Sequence, residues 1–237
     1  MGKLEVYLES RKAFQVLEHS QATYLLSTIF VLRAQRAALS NIEQLMPMHM
    51  GFIESHNNLQ SATSVLGMSA SQYIEGNLYF TQISALEIFF QTCLAAVLKS
   101  FPNKLGSTQF TLSQFLEVET KEELIMRAVD GYLNSLMYKK PKEYLDDMCK
   151  QLSISSDGFM NLWPIFIEAK ARRDVGIHNN WICNQVYLRK VAEAKLETNA
   201  RVGDSLMPED ENYFIDTVRK LGLLAESMLE AIRATYE

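Results

Sequence analysis

Between positions 168 and 190 the chain reads Glu168-Ala-Lys-Ala-Arg-Arg-Asp-Val-Gly-Ile-His-Asn-Asn-Trp-Ile-Cys-Asn-Gln-Val-Tyr-Leu-Arg-Lys190, and no other stretch gathers cationic, acidic and imidazole groups so closely. Arginine stays charged at any working pH and offers a planar fork of donors that matches a phosphate. Histidine titrates near neutrality and can take or give a proton. Arg173 and His178 together therefore carry what metal-independent RNA cleavage needs. The imidazole removes the proton of a ribose 2′-hydroxyl, that oxygen attacks the adjacent phosphorus, and the guanidinium stabilises charge building on the phosphoryl oxygens. Asp174 is placed to orient His178 or Arg173, Asn179 to donate to phosphate, and Arg172 to support the pair.

The spacing alone is weak. In a chain of this composition, chance supplies an Arg with a His four to six residues on in roughly every second protein. A plain structural reading competes: His178 as a capping or packing histidine, and Arg172 or Arg173 as a cation favoured at a helix C-terminus. Five residues along an ideal helix turn through about 140°, so Arg173 and His178 do not share a helical face. Either Gly176 breaks the helix between them or a partner chain completes the site.

The elements that must position this stretch are helical. Apolar residues over 4–46 (Leu4, Leu8, Phe14, Leu17, Tyr24, Leu25, Thr28, Leu32 and Leu39) return at three, four or seven with no Pro or Gly between them, which predicts one long helix with a bend, or a hairpin arm. Pro47 and Gly51 break the pattern, and 55–70 is rich in Ser, Asn and Thr. His49 and His56 offer too few ligands for a metal. Residues 71–101 give the clearest helix, apolar around most of its circumference, as a central bundle helix is. Glu87 lies within that apolar surface, where a lone carboxylate is costly; it needs a basic partner or the role of positioning Arg173. Shorter helices follow over 107–154, with a capping box at Thr120–Glu123. The basic turn Lys139-Lys-Pro-Lys142 precedes one of them and reads as a solvated loop or an RNA-backbone contact. A helix from about Phe159 through Arg173, one around Tyr187, and a last one over Tyr213–Thr235 complete the chain. The expected fold is all-α, an antiparallel helical bundle, with 1–70 as an N-terminal helical extension and 71–237 as the bundle.

Composition narrows the classes. The chain has 237 residues, 48% hydrophobic and 22% charged, enough to bury a proper core. A net charge of −5 gives no global attraction for nucleic acid, so any RNA contact must come from a local patch. The three cysteines, Cys93, Cys149 and Cys183, are far apart and read as reduced, buried thiols of a cytoplasmic protein. Charges in the first ten residues stand where a signal peptide has an apolar run, and Ala22–Leu32 is too short to span a bilayer. No membrane association and no cofactor are expected. Gly-rich phosphate loops and nucleophile elbows are absent from the sequence.

The 168–190 stretch resembles the HEPN superfamily. That family's motif places an Arg, a polar residue, a few mixed residues and then His, often followed by Asn and later by an aromatic-Leu pair, here Tyr187-Leu188. The 71–101 helix, with Ser84, Leu86, Glu87 and Phe89, resembles the family's earlier core helix, which also carries an acidic residue. The resemblance covers roughly 75–200. It implies a helical bundle that pairs two-fold, with the two motifs meeting in one cleft so that each chain supplies an Arg and a His. Asp174 stands where Asn is frequent and puts a negative charge beside the phosphate site. The implied activity is that of a metal-independent endoribonuclease, a toxin or phage-defence effector held by an antitoxin protein or a trigger. Two other readings stay open: a non-catalytic HEPN-like module that binds a nucleotide or a protein partner, and an unrelated helical adaptor.

Overall fold

The computed structural model describes residues 2–45, 70–106, 110, 115, 117–208 and 212–237, with side chains from 2–27 in the first segment and from 76 in the second. The protein is all-α. Among the described residues the helices are α1 (Lys3–Leu45), α2 (Ala70–Ser100), α3 (Lys121–Met137), α4 (Pro141–Leu152), α5 (Trp163–Asn179), α6 (Gln185–Glu193) and α7 (Asn212–Tyr236), with one 3-10 turn at Pro102–Leu105. One isolated antiparallel bridge pairs Ile182 with Ser205. The break over 46–51, His49, His56 and residues 55–69 lie outside the described residues.

The 43 residues of α1 form one continuous helix where a bend or hairpin was expected. Without Pro or Gly inside it, nothing in the backbone forces a stop. At 1.5 Å per residue it is about 65 Å long. Its buried seam differs from the sequence reading. Val6, Tyr7, Ser10, Leu17 and Tyr24 are buried, while Leu4 and Leu8 are exposed. The seam steps by three, four or seven through the polar Ser10, so hydrophobicity alone misplaces its first turns.

Helix α2 packs against α1, α3, α4, α5 and α7. It buries Tyr79, Ile83, Leu86, Phe89, Phe90, Leu94 and Val97. Each such side chain contributes about 1.5–3 kcal/mol of transfer free energy, which makes α2 the axis of the core. Its Gly76–Ser100 stretch is long and apolar enough by composition to cross a membrane, and 61% of its most apolar window is buried within the protein. Residues of α1 join the same cluster as α2, α4, α5 and α7, so the N-terminal helix shares the main core. Cys93, Cys149 and Cys183 are free and buried, and burial pushes the Cys93 thiol up to about 12.

Local signals set the shorter helices. Thr120 caps α3 by accepting from the Glu123 N–H at 3.1 Å, and the Glu123 carboxylate reaches the Glu119 N–H at 3.2 Å, one residue before the usual capping-box target. Pro141 opens α4, and Ser153 closes it in the left-handed region at φ 55°. Pro164 lies in the first turn of α5, where its missing N–H costs nothing, rather than kinking the helix. In α7 the stripe Phe214, Val218, Leu221, Leu224, Met228 and Ile232 is buried, and the Tyr236 hydroxyl donates to the Leu152 carbonyl at 2.9 Å.

Candidate functional site

Helix α5 carries the motif and runs past both of its functional residues. It continues through Gly176 to Asn179, so Arg173 sits in mid-helix and not at a helix end. Gly176 serves as a close-approach residue and does not break the helix. A Cβ there would stand 2.6 Å from Phe80 Cζ and 2.9 Å from Trp181 Cε2. Trp181 is wedged between Gly176 and Gly76, stacked on Phe80 with ring centroids 5.2 Å apart. To reach that slot the chain turns sharply after α5, with Asn180 at φ 48° and Trp181 at φ 63°. Both their N–H groups donate to the Val175 carbonyl.

Arg173 is held by carboxylates from two helices. Its Nη1 donates to Glu87 Oε2 at 2.6 Å and to Ser84 Oγ at 3.4 Å. Its Nε and Nη2 donate to Asp174 Oδ1 at 3.2 and 3.0 Å. Burial disfavours the guanidinium charge, but Glu87 and Asp174 outweigh that and raise its pKa above the ordinary value. Glu87 is buried at 8% exposure, and its other oxygen accepts from Lys170. Asp174 Oδ2 accepts from Lys190 at 2.9 Å. Burial pushes the Asp174 carboxyl upward, yet the bond and charge of Lys190, with Arg173 adding to them, hold it below the ordinary carboxylate range. Of the two roles open to Asp174, this geometry realises the orienting of Arg173.

Arg172 faces a different set of partners. Its Nε donates to Glu168 Oε1 at 2.7 Å, Nη1 to the Leu206 carbonyl at 2.5 Å and Nη2 to the Tyr187 hydroxyl at 3.1 Å. The guanidinium also lies 4.6 Å from the centroid of the Tyr213 ring. Glu168 accepts in addition from the Tyr187 and Tyr213 hydroxyls at 2.8 and 2.6 Å. Burial raises the pKa of both phenols, so they stay protonated donors. Arg172 is thus a clasp tying α5 to α6, α7 and the 206 segment, with its donors committed inside the fold.

His178 is exposed on the last turn of α5. It does not cap the helix, because Asn180 occupies the C-cap. Among the described residues no hydrogen bond or ion pair engages its ring. Asn179, expected to donate to phosphate, donates to the Ile182 carbonyl at 2.5 Å and so braces the turn. Arg173 and His178 lie about 140° apart around an unbroken helix and about 7.5 Å apart along it. One chain therefore joins Glu87, Asp174 and Arg173 in one network and leaves His178 outside it. Among the described residues no group of three His, Cys, Asp or Glu could hold a metal ion.

No family model, curated protein or solved structure matches this chain. The residues must speak for themselves. Sequence reasoning assigned no role to Lys170, Lys190, Ser84 or Tyr213. The four-residue spacing of Lys170 and Asp174 signals an ion pair along α5. The structure instead sends Lys170 across to α2 and brings Lys190 from α6 to Asp174.

Proposed function

We propose that this protein is a metal-independent endoribonuclease of HEPN type, an antiparallel helical bundle that acts as a two-fold homodimer. Each chain supplies an Arg173 and a His178 to a shared cleft. The observation that carries this reading is the state of His178: exposed, uncapping and unengaged within its own chain, on the same helix as a rigidly held arginine. The structural roles open to this histidine, capping and packing, are taken by Asn180 and Trp181. The exposed Ile177, Ile182 and Val186 around it supply apolar surface for a second chain.

In this mechanism one His178 takes the proton of the ribose 2′-hydroxyl, the oxygen attacks phosphorus, and the partner's imidazolium returns a proton to the leaving 5′-oxygen. Arg173, fixed by Glu87 and Asp174, faces the charge that develops on the phosphoryl oxygens. Products carry a 2′,3′-cyclic phosphate and a 5′-hydroxyl. A toxin or phage-defence effector acting on cytoplasmic RNA, restrained by an antitoxin protein, fits such an activity.

One observation favours a second reading, a non-catalytic HEPN-like module that binds a nucleotide or a protein partner. Glu87, Ser84 and Asp174 already occupy most of the Arg173 donors. Incubating total RNA with the protein in excess chelator, followed by end-group analysis, separates the two. Cyclic phosphate ends that vanish in His178→Ala support the nuclease; intact RNA supports the binding module. Sedimentation at micromolar concentration tests the dimer, and a clean monomer near 27.1 kDa refutes the composite site.

A further inference from the structure

A cleft of about 370 Å³ opens where the α3–α4 turn meets α5 and α6. Lys139, Lys140, Lys170, Arg189 and Lys190 line it, against the single carboxylate of Glu193. Three of these cations are already matched: Lys139 to Asp147, Lys170 to Glu87 and Lys190 to Asp174. Lys140 and Arg189 are exposed and have no acidic partner among the described residues. In a chain of net charge −5, a concave site with two unmatched cations runs against the global field and selects for an anion. Tyr138 stands at the rim with 91% of its surface exposed, an open ring beside the cationic walls.

We infer that this cleft binds a nucleoside phosphate unit, with the phosphate on Arg189 and Lys140 and the base stacked on Tyr138. Arginine pairs bidentately with phosphate oxygens, and exposed aromatic rings are stacking platforms for unpaired bases of any sequence. The volume sits at the small end of ligand pockets, about 300–1,000 Å³, and accepts one nucleotide unit rather than a duplex. The unit comes either from a single-stranded RNA or from a free nucleotide. The inference deepens the ribonuclease reading and rests on it for the choice of RNA as the natural source. The cleft shares its wall with the motif, because Lys170 and Lys190 bind the same two carboxylates that hold Arg173. A strand seated there lies one carboxylate away from the guanidinium.

Fluorescence anisotropy tests this with a labelled 2′-O-methyl oligouridine, which binds but cannot undergo 2′-hydroxyl attack. Full-length protein is compared with the double variant Arg189→Glu/Lys140→Glu, with Tyr138→Ala, and with the control Arg219→Glu/Lys220→Glu on the exposed side of α7. All these residues are exposed, so circular dichroism and melting should match the wild type. The cleft double variant is expected to weaken binding at least tenfold and to reduce the salt slope by about 0.7, the share of one neutralised phosphate on a single strand. Tyr138→Ala should weaken binding by roughly tenfold, as loss of one stacked base does. The control should bind as the wild type does. Uridine monophosphate that binds alone with the same dependence on Arg189 and Lys140 identifies the free nucleotide as source; oligouridine binding without it identifies the strand. Absence of binding to both probes, or equal loss in the cleft and control variants, overturns the assignment. Cleft-dependent binding by a protein that never cleaves RNA refutes the nuclease and leaves the cleft standing. RNA cleavage together with binding of both probes indifferent to the cleft double variant does the reverse.

Discussion

Replacing Glu87 with Gln isolates the feature on which the motif helix depends. The carboxylate is 8% exposed and bridges two cations, Arg173 at 2.6 Å through one oxygen and Lys170 through the other. Gln is nearly isosteric but neutral, and it offers one acceptor and one amino group. One charge-assisted bond is lost outright, at about 1.5–3 kcal/mol, and the amino group then faces a cation. Arg173 keeps Asp174, whereas Lys170 keeps no acidic partner among the described residues. The expected cost is about 2–4 kcal/mol, below or level with the 3–5 kcal/mol of a fully broken buried pair. For a chain of this size that corresponds to a fall of roughly 4–16 °C in melting temperature. Urea and thermal denaturation followed by circular dichroism read it directly. Adding Lys170→Met should return part of the loss, because it removes the orphaned cation. A shift under about 0.5 kcal/mol in Glu87→Gln, or no recovery in the double variant, would show that the bridge does not hold α5 to α2.

Other variants follow from the same geometry. Arg173→Ala should lose about 2–4 kcal/mol by denaturation, because its side chain is only 13% exposed and ion-paired. His178→Ala, on an exposed position, should stay within about 0.5 kcal/mol of wild type while abolishing any RNA cleavage. Gly176→Ala should cost about 1–2 kcal/mol in urea melts, because overpacking against Phe80 and Trp181 exceeds the roughly 1 kcal/mol that Ala gains as a helix former. Asp174 has its pKa depressed in the folded protein, so its stabilising effect is fully present above the unfolded value of about 3.9, declines below it and is lost as pH falls through the lower folded-state pKa. The melting-temperature gap between wild type and Asp174→Asn should therefore be constant from pH 8 to pH 5 and narrow progressively below about pH 4; a gap as wide at pH 2 as at pH 5 would contradict the assignment.

Periodicity made α2, α4 and α7 legible because their buried stripes are mostly apolar. Glu87 was legible for the same reason: a carboxylate in an otherwise apolar helix must have a partner. The end of α5 was not. Gly176 reads as a breaker in one dimension, and only the rings of Phe80 and Trp181 reveal that glycine is there for space. The first turns of α1 were misread because its seam passes through Ser10, whose burial no hydrophobic pattern shows. Lys170, Lys190 and Tyr213 escaped because their partners come from other helices, and reach across a core leaves no trace in local spacing.

The chain holds two tryptophans, and they mark the two ends of the motif helix. Trp163 is the first residue of α5, its Nε1 donating to the Pro141 carbonyl at 2.9 Å, and Trp181 lies two residues past the other end. Each is 4% exposed. Intrinsic emission from the unlabelled protein therefore reports on the docking of this one helix, and Trp163→Phe leaves the signal to the His178 end alone. Whether the proposed RNA or second chain binds can then be tested optically at the element that would feel it, without attaching a dye to the protein.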